Sequence, residues 1–152
     1  MNSILYSALR ILNNYIFTYL NQLPLNNLET IQRGYALFAE GNVPEVLAMF
    51  DPKIVWNECE GFPFVKGDGI SIGPEAIAQD IFSQMPAHYD GFNIDVKEMF
   101  ASGDKVVMVG FYQGIRKGTG KEFKANATHV WTLKDGKATH FFQAVDAATI
   151  IN

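Results

Sequence analysis

The spacing of apolar and polar positions changes character twice along this 152-residue chain. In the first 28 residues Ile4, Leu5, Leu9, Leu12, Ile16 and Leu20 approximate a helical stripe, which Asn13 and Asn14 interrupt and Pro24 should stop. Residues 29–40 predict a helix with Ile31, Tyr35, Leu37 or Phe38 and Ala39 on its apolar face, closed by Gly41. Residues 43–50 predict a second short helix that Asp51-Pro52 breaks. The period then falls to two: Ile54, Trp56, Glu58 and Glu60 share one strand face, and Val55, Asn57 and Cys59 the other. A glycine-rich run over 61–73 reads as loop, and Pro74 opens a third helix carrying Ile77, Ile81, Phe82 and Met85, which Pro86 should end. Strands follow over 92–100, 105–116, 121–133 and 137–146, with turns at Gly118-Thr119-Gly120 and Asp135-Gly136. The expected class is α+β, with three helices against one face of a curved sheet. Residues 1–28 form a helical extension and 29–152 the domain.

Composition narrows the function classes. Hydrophobic residues make up 48% of the chain and charged residues 18%, which excludes general disorder and points to an apolar interior or cavity. A net charge of -4 argues against nucleic-acid binding, which needs a basic excess. One cysteine excludes an internal disulfide. The only charge in the first 28 residues, Arg10, lies inside the apolar stretch rather than ahead of it, unlike a signal peptide. The expectation is a cytoplasmic protein with no membrane partner.

Two strands carry candidate chemistry. If the Trp56–Glu58–Glu60 face points at the helices, a carboxyl group enters apolar surroundings, where desolvation raises its pKa and suits it to proton transfer near neutrality. Glu58 lies mid-strand, whereas Glu60 sits beside Gly61 at the end and reads as solvated. On the second strand Ala125, Ala127, His129, Trp131 and Leu133 share a face, two small residues leaving room beside a polar handle. A plain hairpin count across Asp135-Gly136 sets 131 near 140 and 129 near 142, favouring a His140–Asp146 inner face, but one bulge reverses that choice. His88, His129 and His140 have no metal-ligand spacing, Gly118-Thr119-Gly120-Lys121 is a turn rather than a phosphate loop, and Cys59 reads as packing. Neither metal nor organic cofactor is expected.

The helix end at Tyr35–Gly41, Val46–Phe50 followed by Asp51-Pro52, the Gly73-Pro74-Glu75-Ala76-Ile77 helix start, His129-Val130-Trp131, Asp135-Gly136-Lys137 and Val145-Asp146 together resemble the nuclear-transport-factor-2-like superfamily, in its SnoaL-like and ketosteroid-isomerase-like branch. The resemblance implies a cone of three helices over a strongly bent mixed sheet, a deep apolar cavity, and a homodimer through the outer sheet face. It puts the strand at 54–60 on the sheet edge. It implies that Glu58 moves a proton and that His129 supports an oxyanion. Gly34 falls where ketosteroid isomerases keep their oxyanion tyrosine, and Tyr35, about 100° away around a helix, is a poor substitute. It also turns Phe141, Gln143 and Val145 inward, against the hairpin count, with Asp146 as a rim acid. The activity implied is isomerisation, cyclisation or dehydration of an apolar carbonyl compound. Trp56, Glu60, Phe62, Phe64, Tyr89, Trp131, Phe141, Gln143, Val145 and Asp146 are the expected substrate contacts. The alternatives are a non-catalytic protein that binds a small apolar metabolite, and an adaptor domain with a filled cavity.

Overall fold

A computed structural model of the chain describes residues 9–15, 26–59, 61–62, 65 and 67–151. Helix α1 spans residues 9–15. Its Leu9, Ile11, Leu12 and Tyr15 are all exposed in the single chain. The remaining positions of the N-terminal apolar stripe, Ile4, Leu5, Ile16 and Leu20, lie outside the described residues.

Helix α2 (Asn27–Ala39) starts earlier than its apolar period suggests, because Asn26 and Glu29 form a reciprocal capping box. Helix α3 (Val43–Ala48) takes Pro44 in its first turn. It ends before Phe50, where β1 (Phe50–Asn57) begins, so Pro52 lies inside a strand rather than closing a helix. The glycine-rich loop contains a three-residue strand, β2 (Ile70–Ile72). The third helical region is broken into three parts: α4 (Pro74–Ile77), a wider π-helical turn (Ala78–Phe82), and α5 (Met85–His88). Pro86 starts this last helix instead of ending the region. Four long strands follow, β3 (Tyr89–Ser102), β4 (Lys105–Arg116), β5 (Lys121–Lys134) and β6 (Lys137–Val145), and then a short α6 (Ala147–Ile151) that the sequence pattern did not signal.

The fold is α+β, with helices on the inner face of one curved, unclosed six-stranded sheet ordered β2-β1-β6-β5-β4-β3. Strand β1 is not the edge: it lies between β2 and β6, antiparallel to the first and parallel to the second. Bulges in β3 between Asp90 and Asn93 and between Val96 and Glu98 break its register with β4, and such breaks bend a sheet. Gly110 lies opposite the second bulge, where a Cβ would come within 2.3 Å of the Asp95 carbonyl oxygen. Only glycine fits that approach.

The inner face buries two apolar clusters. One joins Ile31, Ile54, Trp56, Ile77, Trp131 and Phe141 between helices and sheet. The other gathers Phe62, Tyr89, Tyr112, Phe123 and Ile150 over Ala125 and Ala127. The room left by the two alanines is thus taken by aromatic rings.

Candidate active site

Strand β1 sets the first candidate group. Ile54, Trp56 and Glu58 alternate inward and are all buried, as the period of two predicts. Glu58 lies just beyond the strand, but its N–H donates to the Gly69 carbonyl at 2.9 Å and prolongs the extended chain. The residue is 3% exposed. Oε1 accepts a hydrogen bond from Trp56 Nε1 at 2.7 Å, while Oε2 is buried without a partner. Burial pushes its pKa up to about 7, against the Trp56 N–H, which pulls it down.

His129 comes inward from β5. The bulge between Thr132 and Leu133 shifts the β5–β6 register, so Leu133 opposes Ala138 but Trp131 opposes Phe141 and His129 opposes Gln143. One extra residue therefore turns Phe141 and Gln143 inward and leaves Phe142 half-exposed, as the resemblance implies and the plain hairpin count does not. Both nitrogens of the buried His129 ring meet tyrosine hydroxyls: Nδ1 lies 2.5 Å from Tyr35 and Nε2 2.6 Å from Tyr112. Burial lowers its pKa to about 3, so the ring is neutral at physiological pH. Glu58 and His129 do not bond to each other, and Glu58 therefore does not orient the imidazole.

The contacts continue on both sides. Trp131 Nε1 donates to the Tyr35 hydroxyl at 3.0 Å, and the Tyr112 hydroxyl donates to Gln143 Oε1 at 2.7 Å. Gln143 Nε2 in turn points at Cys59 Sγ, 3.7 Å away. Tyr35, which helical geometry marks as a poor stand-in for a tyrosine at position 34, does reach the interior. Its ring lies nearly parallel to that of His129 at 5.8 Å between centroids, and Gly34 faces Met49 instead.

The open space divides around Glu58. Between helices and sheet lies a cavity of about 50 Å³ bordered by Tyr35, Trp56, Tyr112, His129, Trp131 and Phe141. A water needs roughly 10–15 Å³ of such space, so this is room for a few waters rather than the deep cavity the resemblance implies. Stacking of Trp56 on Phe141 at 3.7 Å, with Trp131 edge-on to Trp56 at 5.6 Å, fills the remainder. A wider open cleft of about 880 Å³ has Cys59, Phe62, Gln143 and Val145 in its walls. Among the described residues, Glu58 alone borders both spaces.

Of the expected contacts, Trp56, Trp131 and Phe141 meet Glu58 and His129 at the inner cavity, and Phe62, Gln143 and Val145 line the cleft. Tyr89 borders neither and packs on Phe92 and Phe123. Asp146 accepts from the Thr149 hydroxyl and N–H at the start of α6, a capping role rather than a rim acid. Glu60 and Phe64 lie outside the described residues. Sequence reasoning discounted Tyr35 and did not single out Tyr112. The signal for Tyr112 was its place in the alternation Val106, Met108, Gly110, Tyr112, on the same inner face as His129. Among the described residues no group of three His, Cys, Asp or Glu side chains could hold a metal ion, and no helix is long and apolar enough to cross a membrane.

Residues 31–141 match the SnoaL-like domain family. An NTF2-like protein from Burkholderia thailandensis superposes with a TM-score of 0.76 at 28% identity, covering 81% of this chain and 92% of that one. TerC, co-crystallised with polyporic acid, superposes at 0.72 with 26% identity over 82% of this chain and 94% of its own. A Catenulispora acidiphila protein with a ketosteroid-isomerase-like fold, solved with trimethylamine, is similar in fold alone, with a TM-score of 0.67 at 13% identity over 83% of this chain and 92% of that one. No curated protein matches the chain in sequence.

Proposed function

The chain belongs to the SnoaL-like domain family, and we propose that it is a cofactor-independent isomerase, cyclase or dehydratase of small apolar carbonyl compounds, with Glu58 as its general base. The observation that carries this reading is the buried Glu58 carboxylate, one oxygen held by Trp56 and the other without a partner. A base whose pKa lies near the working pH is present in its ionised form and still takes a proton readily. Glu58 removes a proton from a carbon next to a carbonyl, and the electron pair moves onto the carbonyl oxygen as an enolate. Return of the proton at another carbon is isomerisation. Attack of the enolate carbon on a second carbonyl, whose oxygen takes the proton back from Glu58, is cyclisation, and loss of a hydroxyl from the adjacent carbon, leaving as water with that proton, is dehydration. Tyr35 supports the enolate oxygen: its hydroxyl, held on His129 Nδ1 beforehand, turns to the oxygen while Trp131 still donates to it. The substrate reaches Glu58 from the cleft, and its reacting end displaces what fills the small cavity.

The test is deuterium exchange in D2O at acidic C–H positions of a panel of cyclic ketones and diketones, followed by NMR. Exchange above the buffer rate that falls at least about 100-fold in Glu58→Gln, in a variant that keeps its fold, supports the base. Exchange at the same rate in Glu58→Gln overturns it. The competing reading is a non-catalytic pocket protein, and the open cleft of about 880 Å³ favours it. Polyporic acid, the compound co-crystallised with TerC, is a suitable first binding probe for that reading. Binding that is indifferent to Glu58→Gln, with no exchange on any compound, would establish it.

We further propose that the chain works as a homodimer through the outer sheet face and in the cytoplasm. Phe100, Val107, Val130 and Phe142 pair in turn across four strands and form a continuous apolar row on that face.

A further inference from the structure

The hydrogen bonds around His129 have a direction, and the direction has chemical content. A phenol carries one hydrogen. Tyr112 gives its hydrogen to Gln143 Oε1, so at its contact with His129 it accepts, and Nε2 must carry the imidazole proton. The neutral ring then has a bare Nδ1, and the short contact there is Tyr35 donating to nitrogen. Tyr35 takes the Trp131 N–H on its oxygen, which leaves its own hydrogen for this bond. At the far end Gln143 turns its NH2 toward Cys59 Sγ, which the Val145 backbone also hydrogen-bonds. The amide oxygen is therefore the atom left for Tyr112. His129, Tyr112 and Gln143 are all buried, so solvent does not supply alternative partners on the Nε2 side of the ring.

We propose that Gln143 and Tyr112 are positioning residues that hold His129 as its Nε2–H tautomer, so that the Tyr35 hydrogen rests on Nδ1 and moves only to a stronger acceptor such as an anionic oxygen. A neutral carbonyl oxygen is a weaker acceptor than a neutral imidazole nitrogen and does not draw the hydroxyl away. An enolate oxygen is stronger, and a charged acceptor roughly doubles the strength of a hydrogen bond. The donor thus acts on the charge that develops during reaction and not on the ground state, the differential that accelerates a chemical step. The inference rests on the enolate reading above and reassigns Gln143 from a substrate contact to a group acting through Tyr112 and His129.

The experiment is 15N NMR of the His129 ring in the ligand-free chain at pH 7, with the backbone amide spectrum of the same sample as the control for folding. In the parent, the long-range couplings place the pyrrole-type resonance on Nε2. In Gln143→Met, Tyr112 has lost its acceptor and turns its hydrogen to Nε2. In Tyr112→Phe, the acceptor for Nε2–H is gone, and an orphaned N–H is costlier than a bare acceptor nitrogen. Both variants should exchange the two ring-nitrogen resonances, moving the proton to Nδ1. Tyr35→Phe removes a hydroxyl from the other side of the ring and should leave the proton on Nε2. If either of the first two variants does not fold, the other carries the test. A parent ring already protonated on Nδ1, or one that keeps its Nε2 proton in the folded variants, overturns the proposal. The measurement uses no substrate, so its failure is distinct from loss of the Glu58 base, which deuterium exchange reads.

Discussion

Glu58 and His129 make opposite demands on pH. In the folded chain Glu58 holds its proton up to about pH 7, whereas an unperturbed carboxyl releases it near 4.5. Between those values the folded state binds the extra proton, so stability falls as pH rises, by about 3 kcal/mol over the window at ~1.4 kcal/mol per unit. His129 stays neutral when folded down to about pH 3, whereas in the unfolded chain it takes a proton below 6.5. Its contribution is complete above 6.5 and is lost as pH falls. The two slopes oppose each other between 4.5 and 6.5. Glu58→Gln removes one of them. Its stability should climb with pH from 4.5 to 6.5, where that of the parent is nearly flat, and near pH 8 it should exceed the parent by roughly 1–3 kcal/mol. Urea denaturation across this range measures both, and parallel curves for the two proteins would mean a solvated carboxylate. Glu58 was legible in the sequence because alternation with Ile54 and Trp56 is a local signal. The tyrosine contacts of His129 were not, since they depend on which turn of α2 lies over β5 and on a diagonal reach from β4.

At the scale of elements, curvature rests on breaks in register, and these are hard to read in a sequence. The bulge between Thr132 and Leu133 has no glycine or proline to announce it, yet it decides which side of β6 faces inward. The helix at Pro74 and the hairpin at Asp135-Gly136 were legible because proline and a residue pair suited to positive φ act locally. Strand β2 escaped because three residues are too few to show a period, and the π-helical turn because it changes the period within an apolar run. Gly110 allows the most direct test of curvature. Gly110→Ala drives a methyl group against the Asp95 carbonyl, and a backbone atom cannot swing aside as a side chain does. The variant should lose about 1–3 kcal/mol, in the range of an overpacked core. Gly118→Ala has no heavy atom within 4 Å of its added carbon and should change stability by less than about 0.5 kcal/mol. Equal effects in the two variants would remove Gly110 from the account of the bend.

For the whole molecule, the outer face of the sheet leaves apolar surface unsatisfied. Phe100 and Phe142 are each nearly half exposed at the two ends of their apolar row. Contiguous apolar surface of this kind marks an interaction site. The parent should sediment at twice its 17.0 kDa chain mass at tens of micromolar, and Phe142→Lys should sediment at the chain mass with an unchanged circular dichroism spectrum. A parent that sediments at the chain mass would exclude the proposed dimer at that concentration. The parallel pairing of β1 with β6 bears also on how the chain is made. Trp56 opposes Phe141, so β1 waits through most of synthesis for its neighbour on that side. Long-range pairing of this kind slows folding, and an unpaired strand edge is open to other chains meanwhile. The wall that encloses Glu58 is therefore completed only once β6 has left the ribosome, and until then its carboxylate stays in water, ionised and without the perturbation that suits it to proton transfer.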